Sequence, residues 1–479
     1  MARRAFLPVA AKDLVGGAWC ALERTVGIRD PYRGDVVGTA PISSPAEVDV
    51  AVDAAVEARG KAAAIPPYER AALLRRVAAF VERDVQDLAE LLTRETGKAI
   101  KDSEAEIRRS LETLLLAAEE AIRIEGRHVP LDGSAMGAGK LALLLRFPVG
   151  VVAAITPFNA PFNLAVHKIA PAIAAGNSVV LKPPPQAPLI VHRLAELFVE
   201  GGLPEGMLNI VHGGAEIGAA LVADPRVDFI SFTGSSRAGA AIKAASGLRR
   251  VALELGGNNA TIVHDDADLA PAAAACARNS MRLAGQSCIS VQSVYVQERA
   301  YEAFLGLIET EVRKMKLGDP LDPATDVGTL IDERAAQRVE SWVKEAASEG
   351  ARVVTGGRRH GAAFEPTLLT GVNPSMKVVC EEVFGPVVNV IPYKAIDAAF
   401  AAANAGPYGL QAGIFTRSNE ITFRAIRSLR VGGVIVNGTS TWRTDQLAYG
   451  GVKASGSGRE GPRYAIEEMT EQRLVVFNL

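Results

Sequence analysis

Cysteine is scarce, four residues in 479, at positions 20, 276, 288 and 380. They lie too far apart for zinc-ligand pairs or a disulfide framework, and a reducing cytoplasm is the default expectation. No sign of charge is in excess either. With 52 Lys and Arg against 54 Asp and Glu, the net charge of -2 offers no overall electrostatic case for nucleic acid or an anionic membrane. No uninterrupted apolar run reaches the ~20 residues that cross a bilayer. The opening Met1-Ala2-Arg3-Arg4-Ala5-Phe6-Leu7-Pro8 carries the charges of an export signal, but Lys12 and Asp13 end its apolar stretch too early. What is present is a globular composition, 48% hydrophobic and 22% charged, in a chain long enough for two or three domains.

Between residues 45 and 125 the chain is rich in Ala, Leu, Glu and Arg, and its apolar spacing predicts consecutive amphipathic helices. A Gly-rich turn at 133–139 precedes a predicted strand at 141–147, and a short apolar strand at 149–155 ends at Thr156-Pro157. Helix (161–175), strand (178–181), helix (189–200), strand (208–211) and strand (229–232) follow. A second alternating region runs over 254–450 and includes strands at 261–263 and 434–436. Alternation of this kind predicts an α/β fold with parallel sheets covered by helices.

Cys288 stands in Ala284-Gly285-Gln286-Ser287-Cys288-Ile289, 34 positions after Glu254 in Glu254-Leu255-Gly256-Gly257. A thiol nucleophile and a carboxylate base are what oxidation of an aldehyde through a thioester requires. Other motifs accompany them in order: Thr156-Pro157-Phe158-Asn159-Ala160-Pro161, Leu181-Lys182-Pro183-Pro184-Pro185 and Phe232-Thr233-Gly234-Ser235 upstream. Downstream come Glu381-Glu382-Val383-Phe384-Gly385-Pro386, Asn404 with Tyr408-Gly409-Leu410, and Gly456-Ser457-Gly458-Arg459-Glu460. Taken together, over nearly the whole chain, these motifs closely resemble the aldehyde dehydrogenase superfamily, in its NAD(P)-dependent, hydrolytic branch.

The resemblance implies two Rossmann-like parallel-sheet lobes with a small β oligomerisation extension. The expected division is a cofactor domain at 1–125 and 148–253, a catalytic domain at 254–457, and the extension at 126–147 and 458–479. The apolar tail Arg473-Leu474-Val475-Val476-Phe477 would leave an exposed strand edge in a monomer, so a homodimer or homotetramer is expected.

The dinucleotide signature Gly-x-Gly-x-x-Gly is missing at the relevant place. Instead Phe232-Thr233-Gly234-Ser235-Ser236-Arg237-Ala238-Gly239 leaves a strand and opens a helix, where the amides of Gly234 and Ser235 can meet a pyrophosphate. A serine N-cap after a turn glycine is the alternative for the same residues. The resemblance assigns Thr156, Pro157, Phe158, Gly239, Leu255 and Gly256 to the cofactor cleft, Lys182 to the adenosine ribose, and Glu382 and Phe384 to the nicotinamide side. Position 185 is Pro where many NAD-preferring relatives carry Glu. Without that carboxylate a 2′-phosphate meets less repulsion, which favours NADP and leaves NAD open.

Cys288 is expected to attack the aldehyde carbonyl, with the Asn159 side-chain amide and the Cys288 backbone N–H donating to the resulting oxyanion. Glu254 then activates the water that hydrolyses the thioester. Lys168 and Glu460 resemble a proton path behind that base. Around the nucleophile the family places its substrate pocket, here Ala160, Asn163, His167, Arg282, Ser287, Ile289, Arg443 and Tyr449, with Arg109 or Arg108 from a nearby helix. Several arginines in one pocket point to an anionic aldehyde, phosphorylated, phosphono- or carboxylated. Ser287, where glyceraldehyde 3-phosphate oxidisers carry Arg, departs from that subgroup. Succinate semialdehyde, a phosphono-aldehyde and lactaldehyde stay open as substrates. The alternatives are coenzyme A acylation, which the presence of Glu254 disfavours, and a non-catalytic binding role on the same fold.

Overall fold

The computed structural model describes residues 6–479, so the first five residues of the segment read for an export signal lie outside it. Five parallel strands, each buried along most or all of its length, form the centre of one sheet: Arg250–Glu254, Phe229–Thr233, Val151–Ile155, Ser178–Lys182 and Leu208–Ile210, in that spatial order. Burial on both faces explains why they read as near-continuous Val, Ile, Leu, Phe and Ala runs rather than as alternating ones. Numbered along the chain the order is 5-4-1-2-3. The direction of winding therefore reverses between Val151–Ile155 and Phe229–Thr233, the place where an open α/β sheet leaves a crevice beyond its carboxyl ends.

Antiparallel strands extend this sheet on both sides. Asp13–Val15 and Ala18–Cys20 follow Leu208–Ile210, and Gly456–Ser457 pairs with Arg250–Glu254. The N-terminal strands were not anticipated, being only three residues each.

The expected helical region resolves into Pro45–Ala64, Pro67–Arg83, Val85–Thr96 and Ile100–Ala121. The first begins with a capping box, Ser44 accepting from the helix and Glu47 accepting from the Ser44 N–H. The buried helix Pro161–Ala175 stops at Gly176, whose φ of +85 suits a left-handed cap.

The second sheet has the order Arg352–Thr355, Thr367–Thr370, Val387–Tyr393, Val291–Gln297, Asn259–Val263, Gln411–Phe415 and Gly433–Val436, parallel except for its first strand. A third sheet consists of Arg127–Val129, Lys140–Pro148 and Thr470–Asn478, so the strand expected after the Gly-rich turn pairs with the apolar tail. Of the segment 458–479 only this strand joins that sheet. Helix Pro462–Glu468 instead packs on Pro161–Ala175 and Ile100–Ala121 of the first unit. No helix among the described residues is long and apolar enough to cross a membrane.

Candidate active site

Cys288 follows helix Leu269–Met281 through a backbone that doubles back on itself. Leu283, Ala284 and Gly285 all have positive φ, at 56°, 50° and 71°. Two non-glycine residues in this region cost energy and mark a turn that its surroundings impose. A Cβ at Gly285 would lie 1.9 Å from the Gly385 carbonyl oxygen, and one at Gly257 2.2 Å from the Cys288 carbonyl oxygen. Glycine is thus required on both sides of the nucleophile loop. Asn259 Nδ2 donates to that same Cys288 carbonyl at 2.7 Å.

The Cys288 side chain lies at the junction of two cavities. Cys288, Asn159, Leu164, Arg443 and Tyr449 line both. One, of about 130 Å³, continues to Asp102, Arg109, Asn163, Arg282, Ser287 and Ile289. The other, of about 220 Å³, continues to Pro157, Phe158, Thr233, Gly234, Ser235, Glu254, Leu255, Gly256, Glu382 and Phe384. The second coincides with the carboxyl ends of Val151–Ile155 and Phe229–Thr233, where the sheet reverses its winding. A larger cavity, about 590 Å³, lies over the second sheet beside Tyr295, Tyr393 and Tyr408 and contains none of the candidate catalytic side chains.

Asn159 sits in the turn between strand Val151–Ile155 and helix Pro161–Ala175, held from behind by an ion pair that the sequence did not suggest. Lys98 Nζ donates to the Asn159 carbonyl at 2.8 Å and pairs with Glu106. Glu106 Oε1 accepts the Phe162 and Asn163 N–H groups at 3.0 and 3.1 Å, capping the helix that Ala160 leaves uncapped. The only sequence signal was two charges eight residues apart in a helical stretch, and such charges usually face solvent.

Glu254 ends strand Arg250–Glu254. Both its carboxyl oxygens are buried without a hydrogen-bond partner. Burial, with the negative Glu460 nearby, holds its carboxyl well above the usual range. Burial also pushes the Cys288 thiol up to about 11, opposed by the hydrogen bond it shares with the Tyr449 hydroxyl. Behind Glu254 a small cavity is lined by His167, Lys168, Ser231, Arg459 and Glu460. Lys168 Nζ donates to Ser231 Oγ at 3.1 Å, and burial lowers its pKa. Burial opposes ionisation of Glu460, but neighbouring His167, Arg443, whose Nη2 donates to it at 2.7 Å, and Lys168 hold it below the usual carboxylate range.

Every arginine expected in the substrate pocket already has a carboxylate partner, and this corrects the picture of free cations. Arg109 donates through Nε and Nη2 to Asp445, Arg282 through Nε to Asp102 at 2.9 Å, and Arg443 to Glu460. Among the described residues Arg109 Nη1 and both terminal nitrogens of Arg282 have no hydrogen-bond partner, so each guanidinium keeps an open edge. Arg108 pairs with Glu104 on the exposed helix surface and does not line the cavity. His167 does not line it either. It is buried behind Arg443, its Nε2 3.3 Å from both Arg443 Nη2 and Asp445 Oδ1. Asn163 lines the wall, but its amide is engaged by Ser110 and Thr113 at 3.1 and 3.2 Å. Asp102 and Asp445, which set these pairings, come from distant segments and gave no local signal.

The cofactor segment also differs in detail from expectation. The Gly234 N–H donates to the Glu254 carbonyl at 3.0 Å, which leaves only the Ser235 amide of the expected two. Ser235 Oγ caps helix Ser236–Ala245, accepting from Ala238 at 3.3 Å, so the N-cap alternative applies. Gly239 is buried, and a Cβ there would meet Leu255 at 2.5 Å, so its place is in helix packing. Beside Gly256, Glu382 Oε1 accepts the Gly257 N–H at 3.0 Å, and burial pushes that carboxyl up to about 7. Phe384, with φ +49, meets Phe158 edge-on at 5.9 Å. Lys182 Nζ donates to the Pro183 and Gly213 carbonyls, and burial lowers its pKa to about 8. A further cavity of about 220 Å³ there is lined by Pro183, Pro184, Pro185, His212, Gly213 and Gly214.

The sequence profile of the aldehyde dehydrogenase family matches residues 19–475. The chain belongs to the aldehyde dehydrogenase family. It is similar to the 3-sulfolactaldehyde dehydrogenase of Priestia megaterium, 46% identical over 97% of either chain. Among solved structures it is similar to aldehyde dehydrogenase 21 of Physcomitrella patens in complex with the reaction product succinate. That match has a TM-score of 0.96 and 38% identity over 99% of either chain. It is also similar to the NADP-dependent glyceraldehyde-3-phosphate dehydrogenase of Bacillus halodurans complexed with NADP, at TM-score 0.96 and 35% identity, covering 98% of this chain and all of that one. As a member of this family it is an oxidoreductase acting on aldehydes.

Proposed function

We propose that this enzyme oxidises a small anionic aldehyde to its carboxylic acid with NADP or NAD, using Cys288 as nucleophile and Glu254 as hydrolytic base. The observation that carries the reading is the position of Cys288 between two cavities, one walled by arginine edges and the other by Glu254, Glu382 and Phe384. The second suits a dinucleotide. It has apolar faces at Phe158 and Phe384 for a ring, a Glu382 carboxylate oxygen free for ribose hydroxyls, and glycine at 256 where a Cβ would fall 2.5 Å from that carboxylate. A dinucleotide bound there would supply the acceptor for the hydride that leaves the substrate carbon. The chain's own residues do the rest. Cys288 forms the thiohemiacetal, the Asn159 amide and the Cys288 N–H stabilise its oxygen, and Glu254 takes a proton from water to hydrolyse the thioester, with Lys168 and Glu460 behind it as a proton path. A sulfonate-, carboxylate- or phosphate-bearing aldehyde is the substrate class, supported by the names of the similar enzymes. The exposed edge of Thr470–Asn478, with Leu474 60% exposed, supports a homodimer or homotetramer.

The substrate class is tested at Arg282. Arg282→Leu is expected to lower kcat/KM for acidic aldehydes by roughly one to two powers of ten, the worth of one charge-assisted contact, and to spare neutral aldehydes of equal length. Because the change leaves the Asp102 carboxylate on the wall, the double variant with Asp102→Asn separates loss of the cation from exposure of the anion. Equal losses on charged and neutral aldehydes would make Arg282 a structural residue.

Cofactor choice is tested at Pro185. Pro185→Glu puts a carboxylate where a 2′-phosphate is expected, so the ratio of kcat/KM for NAD over NADP should rise by about tenfold or more. An unchanged ratio would place the discrimination elsewhere.

A further inference from the structure

The sulfur of Cys288 has a single hydrogen-bonding neighbour among the described residues, the Tyr449 hydroxyl at 3.3 Å. That tyrosine is fixed at both ends. Its N–H donates to the Glu460 carbonyl at 3.0 Å, the Glu460 N–H donates back to its carbonyl at 2.6 Å, and the Arg443 guanidinium carbon stands 3.7 Å from its ring centroid. Tyr449 is buried, and burial together with the neighbouring Cys288 holds its phenol well above the usual range. The hydroxyl therefore keeps its proton when the thiol ionises. Only one direction of donation then remains, from O–H to sulfur.

We propose that Tyr449 is a catalytic residue whose hydroxyl donates a hydrogen bond to the Cys288 thiolate and so sets both the amount and the nucleophilicity of the attacking sulfur. The proposal rests on Cys288 being the nucleophile. It needs no new reactant. The thiol proton passes to water, the sulfur lone pair forms the S–C bond, the carbonyl π pair moves to oxygen, and the tyrosine proton stays on its oxygen. As charge leaves the sulfur the hydrogen bond weakens, so it favours the resting thiolate over the thiohemiacetal. A stabilised thiolate is more abundant at neutral pH but less reactive per molecule, because nucleophilicity falls as thiol pKa falls, with a slope of about 0.4–0.5.

The test is the pH dependence of Cys288 alkylation by iodoacetamide, followed on the Cys288 peptide by mass spectrometry. In Tyr449→Phe the midpoint should move up by about one pH unit, corresponding to tenfold less thiolate at neutral pH. Alkylation should then be about threefold slower at neutral pH, yet about threefold faster than the unaltered enzyme above both midpoints, and the two curves should cross. An unmoved midpoint, or one constant factor at all pH, overturns the proposal and leaves Tyr449 as pocket wall. Thermal melting and dinucleotide affinity of the variant check its fold. If the Phe variant does not fold, 3-fluorotyrosine at 449, a stronger donor of nearly the same size, must move the midpoint downward, and an unmoved midpoint again overturns it. Failure of the nucleophile reading shows separately, as aldehyde turnover that survives Cys288→Ala.

Discussion

Cys288→Ala is expected to reduce aldehyde oxidation by about four powers of ten or more while changing dinucleotide affinity by no more than a few-fold. The magnitude follows from the position of the sulfur, where the two cavities meet, with no second thiol lining either cavity among the described residues. The dinucleotide-facing groups, Glu382, Phe384 and Phe158, do not depend on the thiol for their placement. The nucleophile loop is anchored instead through the Cys288 carbonyl, which Asn259 holds and an alanine retains. Steady-state turnover and fluorescence titration of the dinucleotide test the two halves. Substantial remaining turnover would remove Cys288 as nucleophile.

Glu254→Gln is expected to leave a rapid first turnover of reduced dinucleotide followed by a steady state slower by about two to four powers of ten, the usual worth of a general base. The two phases separate because thioester formation precedes the step that needs the base. In the unaltered enzyme the same carboxyl is expected to govern the acid limb of the pH profile. Water activation needs the ionised form, and burial beside Glu460 holds the carboxyl well above its usual range. The hydrolytic step should therefore fall as pH drops, beginning well above the range in which exposed glutamates titrate. Rapid-quench measurement of the burst across pH checks this. Equal loss of burst and steady state would assign Glu254 to thiol activation instead.

The alternation of apolar strands with helices carried most of the architecture. Segments such as 161–175, 178–181 and 229–232 differ from the structure by at most one residue at either end, because fully buried parallel strands and their covering helices are set by local composition. The three-residue N-terminal strands and the placement of Pro462–Glu468 were not legible, since they depend on which distant edge or helix face is left to cover. At the site the motifs held Asn159 and Cys288, which line both cavities, but not Leu164, which lines them too. They did not reveal what those residues bind to. Asp102 neutralising Arg282 and Asp445 neutralising Arg109 are pairings between segments far apart in the chain, and the Lys98–Glu106 pair braces an Asn159 turn some sixty residues away. Residue types that are individually common on surfaces gave no hint of them. Gly234 illustrates the same limit, for its amide is consumed by the neighbouring strand although the local pattern is that of an anion-binding turn.

Arg443 touches Glu460, the Tyr449 ring and both cavities at once. A lineage that altered this side chain to accept a new aldehyde would disturb the thiol and the hydrolytic base in the same step. Arg282, half-exposed at the rim and tied to a single aspartate, carries no such burden. Substrate range can therefore diversify from the mouth of the pocket inward, while its inner wall is held constant by the chemistry behind it.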